Sequence, residues 1–274
     1  MGKIKRNERI GAMIRILTDR PNHIFNLNEF SKLFSVSKST ISEDIVIIRD
    51  IMDKFSLGKI ETITGAAGGV KFIPKPNLDK VIPFIKDICN ILSEPGRILP
   101  GGFVYMSDIL YTPSTVKKFG EILAWAFRST HPDFVITVET KGIPVAMATA
   151  EALDCPMVIA RRDSKATEGP VVTINYISAS SKRIQTMSLA RRAVKEGQCG
   201  LIVDDFMKGG GTAKGLCELL REFNIDVAGI GVVVSTYSPA IKMVRDYKSI
   251  MVLREVDEMT GEIIIEPAGW LDTL

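Results

Sequence analysis

The chain has 274 residues, of which 46% are hydrophobic and 24% are charged, and its net charge is +3. This composition excludes a disordered chain and predicts one large folded domain or two smaller ones. The first residues are charged and lack the apolar core of a secretory signal, and no apolar run is long enough to cross a bilayer. We therefore expect a cytoplasmic protein without membrane contact.

Cysteine and histidine are sparse in the chain. The four cysteines are scattered and form no Cys-x-x-Cys pair, which indicates reduced thiols and not a disulfide framework. The two histidines, His23 and His131, lie far apart in the sequence. That separation excludes a Cys2His2 zinc site and disfavours a Ser-His-Asp triad, and we expect no metal-ligating residues.

Positive charge is concentrated at the start of the chain. Residues 1–75 contain 13 Lys and Arg against 8 Asp and Glu, a net charge of +5, whereas the remaining residues contain 22 against 24, a net charge of −2. A basic head on a mildly acidic body is typical of a nucleic-acid-binding module joined to another domain.

Apolar spacing in the basic head predicts three helices and a hairpin. Apolar residues recur at helical spacing through "ERIGAMIRILTDRP", where Pro21 ends the first helix, and "NLNEFSKLF" predicts a second. The third helix follows the turn "SVSKST", which offers several possible N-cap hydroxyls and a Thr40-x-x-Glu43 capping-box pattern. It carries an apolar stripe from Ile41 to Phe55. Two short β-type runs, "IETI" and "VKFI", then flank a loop of Gly and Ala. This order predicts a winged helix-turn-helix.

The surface of this head is suited to DNA. Small hydroxyl side chains and a lysine open the third helix, where they can contact phosphates and base edges. Arg6, Arg9 and Arg15 place positive charge on or beside the first helix, and the small hairpin tip can approach a groove closely. The DNA-binding residues that we predict are Arg6, Arg15, Ser37, Lys38, Ser39, Thr40, Ser42 and Lys71. The alternative is a structural helical cap whose polar turn is only solvated.

The rest of the chain has the pattern of an α/β domain. Apolar runs such as "DFVITVET" alternate with helical stretches such as "IPVAMATAEAL", and we assign "RIQTMSLARRAV" to the helical set. This alternation favours a parallel sheet covered on both faces, which binds ligands at the carboxyl ends of its strands. The tail predicts a β-hairpin that turns at "EMTG". The predicted boundaries are a winged helix over 1–74, a connecting helix and linker over 75–102, and the α/β domain over 103–274.

The most informative segment is "GLIVDDFMKGGGTAKG", residues 200–215. A buried strand leads to two acids, and a glycine loop then enters the next helix. Glycine N–H groups and a helix N-terminus favour an anion, with Lys208 and Thr212 as further donors. The paired acids suit ribose hydroxyls or a hydrated Mg²⁺ beside a phosphate. An ordinary strand-to-helix turn is the alternative, which the entropy cost of three consecutive glycines disfavours. The segment is neither a Walker A loop nor a G-x-G-x-x-G motif.

The segment "VDDFMKGGGT" resembles the phosphoribosyl pyrophosphate (PRPP) motif of type I phosphoribosyltransferases. Together with the basic head, "GAAGGVKFIPK", "LPGGF", "TKGIP", "SKATEG" and "INYISASSKRIQTMSLA", it makes nearly the whole chain similar to the purine operon repressor family of Gram-positive bacteria. The resemblance implies a homodimeric repressor in which a winged helix precedes a phosphoribosyltransferase-type parallel α/β domain. It also implies double-stranded operator DNA as a partner and PRPP as the inducer, with Mg²⁺ and guanosine tetraphosphate as further ligands.

The resemblance assigns roles to individual residues. Asp204 and Asp205 would bind the ribose hydroxyls, and Lys165 and Thr167 would lie in a segment that covers the site. The other effector-binding residues that it implies are Phe206 and Met207 after the acids, Lys208, Gly209, Gly210, Gly211 and Thr212 for the 5′-phosphate, and Thr140, Lys141 and Gly142 for the pyrophosphate.

The resemblance also bears on catalysis. Several purine phosphoribosyltransferases carry an acidic residue where this chain has Lys208, and often a threonine where it has Gly209. A cation cannot accept a proton from a purine as a carboxylate can. We therefore expect a sensor without transferase activity and without catalytic residues. The alternative is an active purine phosphoribosyltransferase with an appended regulatory head.

Overall fold

A computed structural model describes residues 4–65, 68–163, 169–177 and 183–273 of the chain. The chain divides into two compact units, one formed mainly by residues up to Asn77 and the other mainly by residues from Leu78 onward. No helix in the described part of the chain is both long and apolar enough to cross a bilayer.

The first unit has the helix and strand order that the sequence predicts. Its elements are α1 Arg6–Asp19, α2 Leu27–Phe34, α3 Lys38–Lys54, β1 Lys59–Ile63 and β2 Gly69–Ile73. The two strands pair antiparallel, with Ile60 opposite Phe72. Three helices followed by a β-hairpin form the winged helix-turn-helix.

The core of this unit confirms the predicted apolar stripe on α3 from Ile41 to Met52 and corrects its last residue. Ile41, Ile48 and Met52 are almost fully buried, whereas Phe55 lies beyond the helix and is 58% exposed. The predicted capping box at Thr40 is also wrong. The N-cap is Ser37, whose hydroxyl accepts a hydrogen bond from the Thr40 N–H at 3.2 Å.

A buried ion pair joins α1 to α3. The Asp44 side chain is fully buried, and its carboxylate accepts hydrogen bonds from Arg9 Nε at 2.5 Å and Arg6 Nε at 3.0 Å. Arg6 also lies 3.2 Å from the exposed Glu43. Two arginines that the sequence analysis counted toward a basic surface therefore have their charge paired within the fold.

The second unit is an α/β domain. Its helices are α4 Leu78–Leu92, α5 Ser107–Leu110, α6 Pro113–Phe127, α7 Ile143–Leu153 and α8 Gly211–Arg221. Its strands are β3 Ile98–Leu99, β4 Phe103–Val104, β5 Phe134–Val138, β6 Met157–Ala160, β7 Val171–Ile177, β8 Ile184–Ala190, β9 Cys199–Met207, β10 Asp226–Thr236, β11 Tyr247–Asp257 and β12 Glu262–Pro267.

The main sheet of this unit has the strand order β12-β11-β10-β9-β5-β6. Its strands pair in parallel, except that β12 returns antiparallel along β11 and so confirms the predicted tail hairpin. Leu201, Ile202 and Val203 are all fully buried in β9, so both faces of this central strand are covered. Because β5 and β9 are parallel neighbours, the loops that follow them meet at one edge of the sheet.

The sequence analysis was wrong about "RIQTMSLARRAV", which is not a helix. Its residues form β8 and a short 3-10 turn, and β8 pairs antiparallel with β7 in a separate hairpin. Met187 and Leu189, two positions apart, both enter the core beside Tyr176. That spacing of two is the period of a strand, and the basic residues after it obscured the pattern.

Candidate functional site

Paired acids lie near the carboxyl end of the central strand. Strand β9 continues through Asp204 and Asp205 to Met207 and so extends past the run that the sequence analysis assigned to it. Both acids are half-buried, and Asp204 Oδ1 accepts a hydrogen bond from the Asp205 N–H at 2.9 Å. Burial and the negative charge of Asp205 raise the pKa of Asp204 well above its ordinary value, and Arg162 opposes that shift. The pair therefore favours a bound proton, hydroxyl donors or a cation.

The loop after β9 has the geometry of an anion site. Gly210 precedes α8 and has φ +80°, a left-handed conformation that glycine adopts without strain. A Cβ at Gly210 would lie 3.1 Å from a methyl group of Val244. Because the first N–H groups of a helix have no partner within the helix, those at the start of α8 are available to an anion.

A second loop, between β5 and α7, lies against the paired acids. The peptide bond between Glu139 and Thr140 is cis, and Gly142 directly precedes α7. A Cβ at Gly142 would overlap Thr137 Oγ1 and lie 2.6 Å from Asp204 Oδ1. The loop therefore packs directly on the acid, with no room for a larger residue.

These parts line one cleft of about 460 Å³ within the second unit. The predicted effector-binding residues that line it are Asp204, Asp205, Phe206, Met207, Lys208, Gly209, Gly210, Gly211, Thr212 and Lys141. Thr140 and Gly142 are neighbours of Lys141 in the second loop, and Gly142 contacts Asp204. Lys165 and Thr167 lie outside the described residues. The structure thus brings the two predicted loops to one place.

The sequence analysis missed one wall of the cleft. Residues 99–104, which contain the "LPGGF" motif, form the short β3–β4 hairpin and line the cleft with apolar side chains such as Leu99 and Phe103. Gly101 and Gly102 both have positive φ values and form its turn. Two adjacent glycines between apolar residues were a hairpin signal, but nothing in the local pattern indicates what the hairpin covers.

The wall hairpin is held by an arginine at its base. Arg97 donates two hydrogen bonds to the Asp108 carboxylate, at 2.9 and 2.8 Å, and a third to the Tyr105 carbonyl at 3.1 Å. Bidentate pairing with Arg97 lowers the pKa of Asp108. This clamp fixes the hairpin relative to α5.

The predicted DNA-binding residues lie in the first unit, at the start of α3, on α1 and on β2. Lys38, Ser39 and Ser42 are exposed on α3, while Ser37 and Thr40 are engaged in its N-cap. Lys71 is half-exposed on β2. Arg15 pairs with Asp19 at 2.8 Å, and Arg6 is the partner of Asp44 described above.

The structure adds two residues to this face. Val46 is 51% exposed on α3, on the turn after Ser42. Arg49 donates a hydrogen bond to Thr62 Oγ1 at 2.8 Å and so ties α3 to the hairpin strand β1. The sequence analysis missed both because it considered only the polar residues at the start of the helix.

The raised pKa of Asp204 gives a stability prediction. Protonation of Asp204 stabilises the folded state fully below its ordinary pKa, and this contribution is lost as the pH rises through the raised folded-state value. Asp204→Asn removes the charge, so it should raise the thermal unfolding midpoint at neutral pH, with the difference vanishing near pH 4. Differential scanning calorimetry at several pH values measures this. Glu222→Gln, at an exposed acid, is the control, and an unchanged or lower midpoint for Asp204→Asn at neutral pH would contradict the prediction.

Each of the two units matches a known protein family. Residues 5–74 match the family model described as "Bacterial purine repressor, N-terminal", and residues 106–269 match "Phosphoribosyl transferase domain". A solved structure of adenine phosphoribosyltransferase from Thermoanaerobacter pseudethanolicus superimposes with a TM-score of 0.51 at 21% identity, over 60% of this chain and 96% of that chain. At this identity the match shows the fold alone.

Two curated relatives match along almost their full length. One is the purine biosynthesis transcriptional activator PurR of Lactococcus lactis, 44% identical over 96% of this chain and 97% of that protein. Another is the purine biosynthesis transcriptional repressor PurR of Bacillus subtilis, 44% identical over 98% of this chain and 94% of that protein. The chain therefore belongs to the PurR family of purine biosynthesis transcriptional regulators, in which a DNA-binding domain precedes a phosphoribosyltransferase domain.

Proposed function

We propose that the protein is a DNA-binding repressor of purine biosynthesis genes and that PRPP, bound in the cleft, lowers its affinity for DNA. The observation that carries the proposal is that the glycine loop and the paired acids line one cleft in a chain that also has a winged helix. An anion loop beside two acceptors matches a ligand that has both a phosphate and a sugar diol.

The cleft suggests where each part of PRPP binds. The 5′-phosphate accepts hydrogen bonds from the loop Lys208–Thr212, and the ribose hydroxyls donate to Asp204 and Asp205. The pyrophosphate lies at the loop of residues 140–142, whose Lys141 lines the cleft. The carboxylate pair also suits Mg²⁺ carried in with the pyrophosphate, since oxygen ligands are the ones that this ion prefers. Guanosine tetraphosphate also carries a 5′-phosphate group on a ribose, and we propose it as a second ligand for the site.

We propose that the domain has no transferase activity. Position 208 is a lysine, and a carboxylate that could accept a proton from a purine is absent there. The alternative, an active purine phosphoribosyltransferase, predicts nucleotide formation when PRPP and Mg²⁺ are supplied with adenine, guanine, hypoxanthine or xanthine. Chromatography of those mixtures after incubation decides between the two, and turnover with any base would overturn the non-catalytic proposal.

In the cytoplasm, the protein acts as a homodimer on double-stranded DNA. Two symmetry-related winged helices predict an operator with paired or palindromic half-sites. The exposed starts of α3, with Lys38, Ser39 and Ser42, supply contacts to the DNA.

The binding of this head to DNA should depend steeply on salt. Lys38 and Lys71 are positively charged residues with exposed or half-exposed side chains, and their contacts with phosphates release counterions. Lys38→Gln should weaken binding to all sequences alike and reduce the salt slope of the dimer by about two, one for each protomer. Fluorescence anisotropy at several salt concentrations measures this slope. Lys248→Gln in the second unit is the control. A Lys38→Gln slope equal to that of the unmodified protein would exclude Lys38 as a phosphate contact.

The sign of regulation is tested by transcription in vitro. One relative is named an activator and another a repressor. A repressor decreases transcript from a purine synthesis promoter as protein is added, and PRPP restores the transcript. An increase on adding protein would assign this chain to the activating mode instead.

A further inference from the structure

Lys242 lies in the segment between β10 and β11 and does not line the cleft. Its ammonium donates hydrogen bonds to the Lys208 carbonyl at 2.5 Å, the Thr236 carbonyl at 2.7 Å and Thr236 Oγ1 at 3.1 Å. An ammonium has three N–H donors, so these contacts use all of them. One end of this network is the first residue of the glycine loop.

The residues after Lys242 contact the next residues of the same loop. The Met243 N–H donates to the Gly209 carbonyl at 2.8 Å. A Cβ at Gly210 would come within 3.1 Å of Val244. Residues 242, 243 and 244 thus lie against residues 208, 209 and 210 in the same order. We call residues 242–244 the brace.

The brace determines the direction of two N–H groups in the loop. In a planar trans peptide the C=O and the N–H point in opposite directions. Holding the Lys208 carbonyl therefore turns the Gly209 N–H away from the brace, and holding the Gly209 carbonyl does the same for the Gly210 N–H. Within the described part of the chain, neither of these N–H groups has an acceptor. They are the donors that a phosphate accepts from at such a loop.

The charge of Lys242 is itself unusual. The side chain is half-buried, burial lowers its pKa, and no carboxylate of the described residues is among its hydrogen-bond partners. Holding a half-buried cation with carbonyl and hydroxyl oxygens alone, without a counter-charge, is unfavourable for stability. Next to an anion-binding loop, however, its positive potential favours the bound phosphate.

We propose that Lys242 is a positioning residue for the effector phosphate, which aims the loop N–H groups and adds positive potential without touching the ligand. The inference rests on the proposed binding of PRPP in the cleft. It adds a residue outside the cleft lining to the determinants of effector affinity.

The test uses the full-length protein and two variants. Lys242→Met removes the donors and the charge at similar volume, and Lys242→Arg keeps both. Lys248→Met is the matched control, because Lys248 also donates to a backbone carbonyl, that of Ala126 at 3.2 Å, at a position that does not line the cleft. PRPP with Mg²⁺ is titrated by isothermal calorimetry, and hydrogen exchange of the Met243 amide is followed in the ligand-free protein.

Lys242→Met should bind PRPP at least about tenfold more weakly, since hydrogen bonds to charged groups are lost. Its Met243 amide should exchange faster, while Lys242→Arg and Lys248→Met stay within about threefold of the unmodified protein. All variants should bind DNA normally without PRPP. Unchanged PRPP affinity in Lys242→Met, or equal losses in the Met and Arg variants without faster Met243 exchange, would overturn the proposal. If the unmodified protein binds no PRPP, the proposal that PRPP is the effector is wrong. Unchanged hydrogen exchange of the Met243 amide in Lys242→Met would then show, independently, that Lys242 does not hold the loop.

Discussion

Replacing both Asp204 and Asp205 with asparagine should abolish the response to PRPP and leave DNA binding intact. We propose the two carboxylates as acceptors for ribose hydroxyls or ligands for a cation, and each charged hydrogen bond contributes about 1.5–3 kcal/mol. Losing both predicts a PRPP affinity at least about 100-fold lower. Isothermal calorimetry with PRPP and Mg²⁺ measures the affinity for PRPP, and fluorescence anisotropy with labelled operator DNA measures the retained DNA binding.

The control is a pair of acids in the same unit, one on helix α8 and one directly after it. Glu218→Gln with Glu222→Gln removes the same two negative charges, and neither residue lines the cleft. This control should keep its PRPP affinity. If the aspartate variant folds but fails to bind DNA, the assignment of the two functions to separate units is wrong.

Asp44→Ala should produce the largest loss of stability in the winged helix. It leaves the guanidinium of Arg9, whose side chain is 6% exposed, without its carboxylate in the core between α1 and α3. Breaking a buried pair by removing one partner costs about 3–5 kcal/mol. The variant should therefore lose DNA binding while its second unit still binds PRPP. Hydrogen exchange over residues 6–54, with calorimetry of PRPP binding, measures the two effects.

Glu43→Ala is the matched control for this prediction. Glu43 is the sequence neighbour of Asp44 and also pairs with Arg6, but its side chain is 68% exposed. An exposed pair contributes up to about 1 kcal/mol, so this variant should remain folded and bind DNA. Equal stability of the Asp44 and Glu43 variants would show that the buried pair does not hold the head together.

The helices and turns that depend on residues close together in the sequence were predicted from local sequence patterns. The helices of the head follow from apolar periodicity, and the turn between β9 and α8 follows from the acids and glycines that form it. The predicted effector residues of the two loops meet because the strands before them, β5 and β9, are adjacent in the sheet. A parallel sheet places such loops at one edge, so their proximity could be inferred from fold class alone.

The features that the sequence analysis missed depend on contacts between distant residues. Arg9 and Asp44 lie 35 positions apart, so a charge count could not show that Arg9 pairs with a carboxylate in the core. Lys242 reaches the Lys208 carbonyl across 34 positions, with no motif to mark it. The "LPGGF" hairpin became part of the site only through its position over the cleft. Strand β8 pairs with β7 outside the main sheet, and this pairing is not visible in the residues of β8 alone.

We propose that ligand binding in the cleft and DNA binding by the head are coupled. The most direct test of this coupling is the fluorescence anisotropy of labelled DNA from upstream of a purine synthesis operon, bound by the protein and titrated with PRPP and Mg²⁺. A repressor induced by PRPP binds DNA more weakly in the PRPP-bound state. Anisotropy should fall to the value of free DNA as PRPP saturates the protein. DNA that stays tightly bound at saturating PRPP would contradict the proposed coupling.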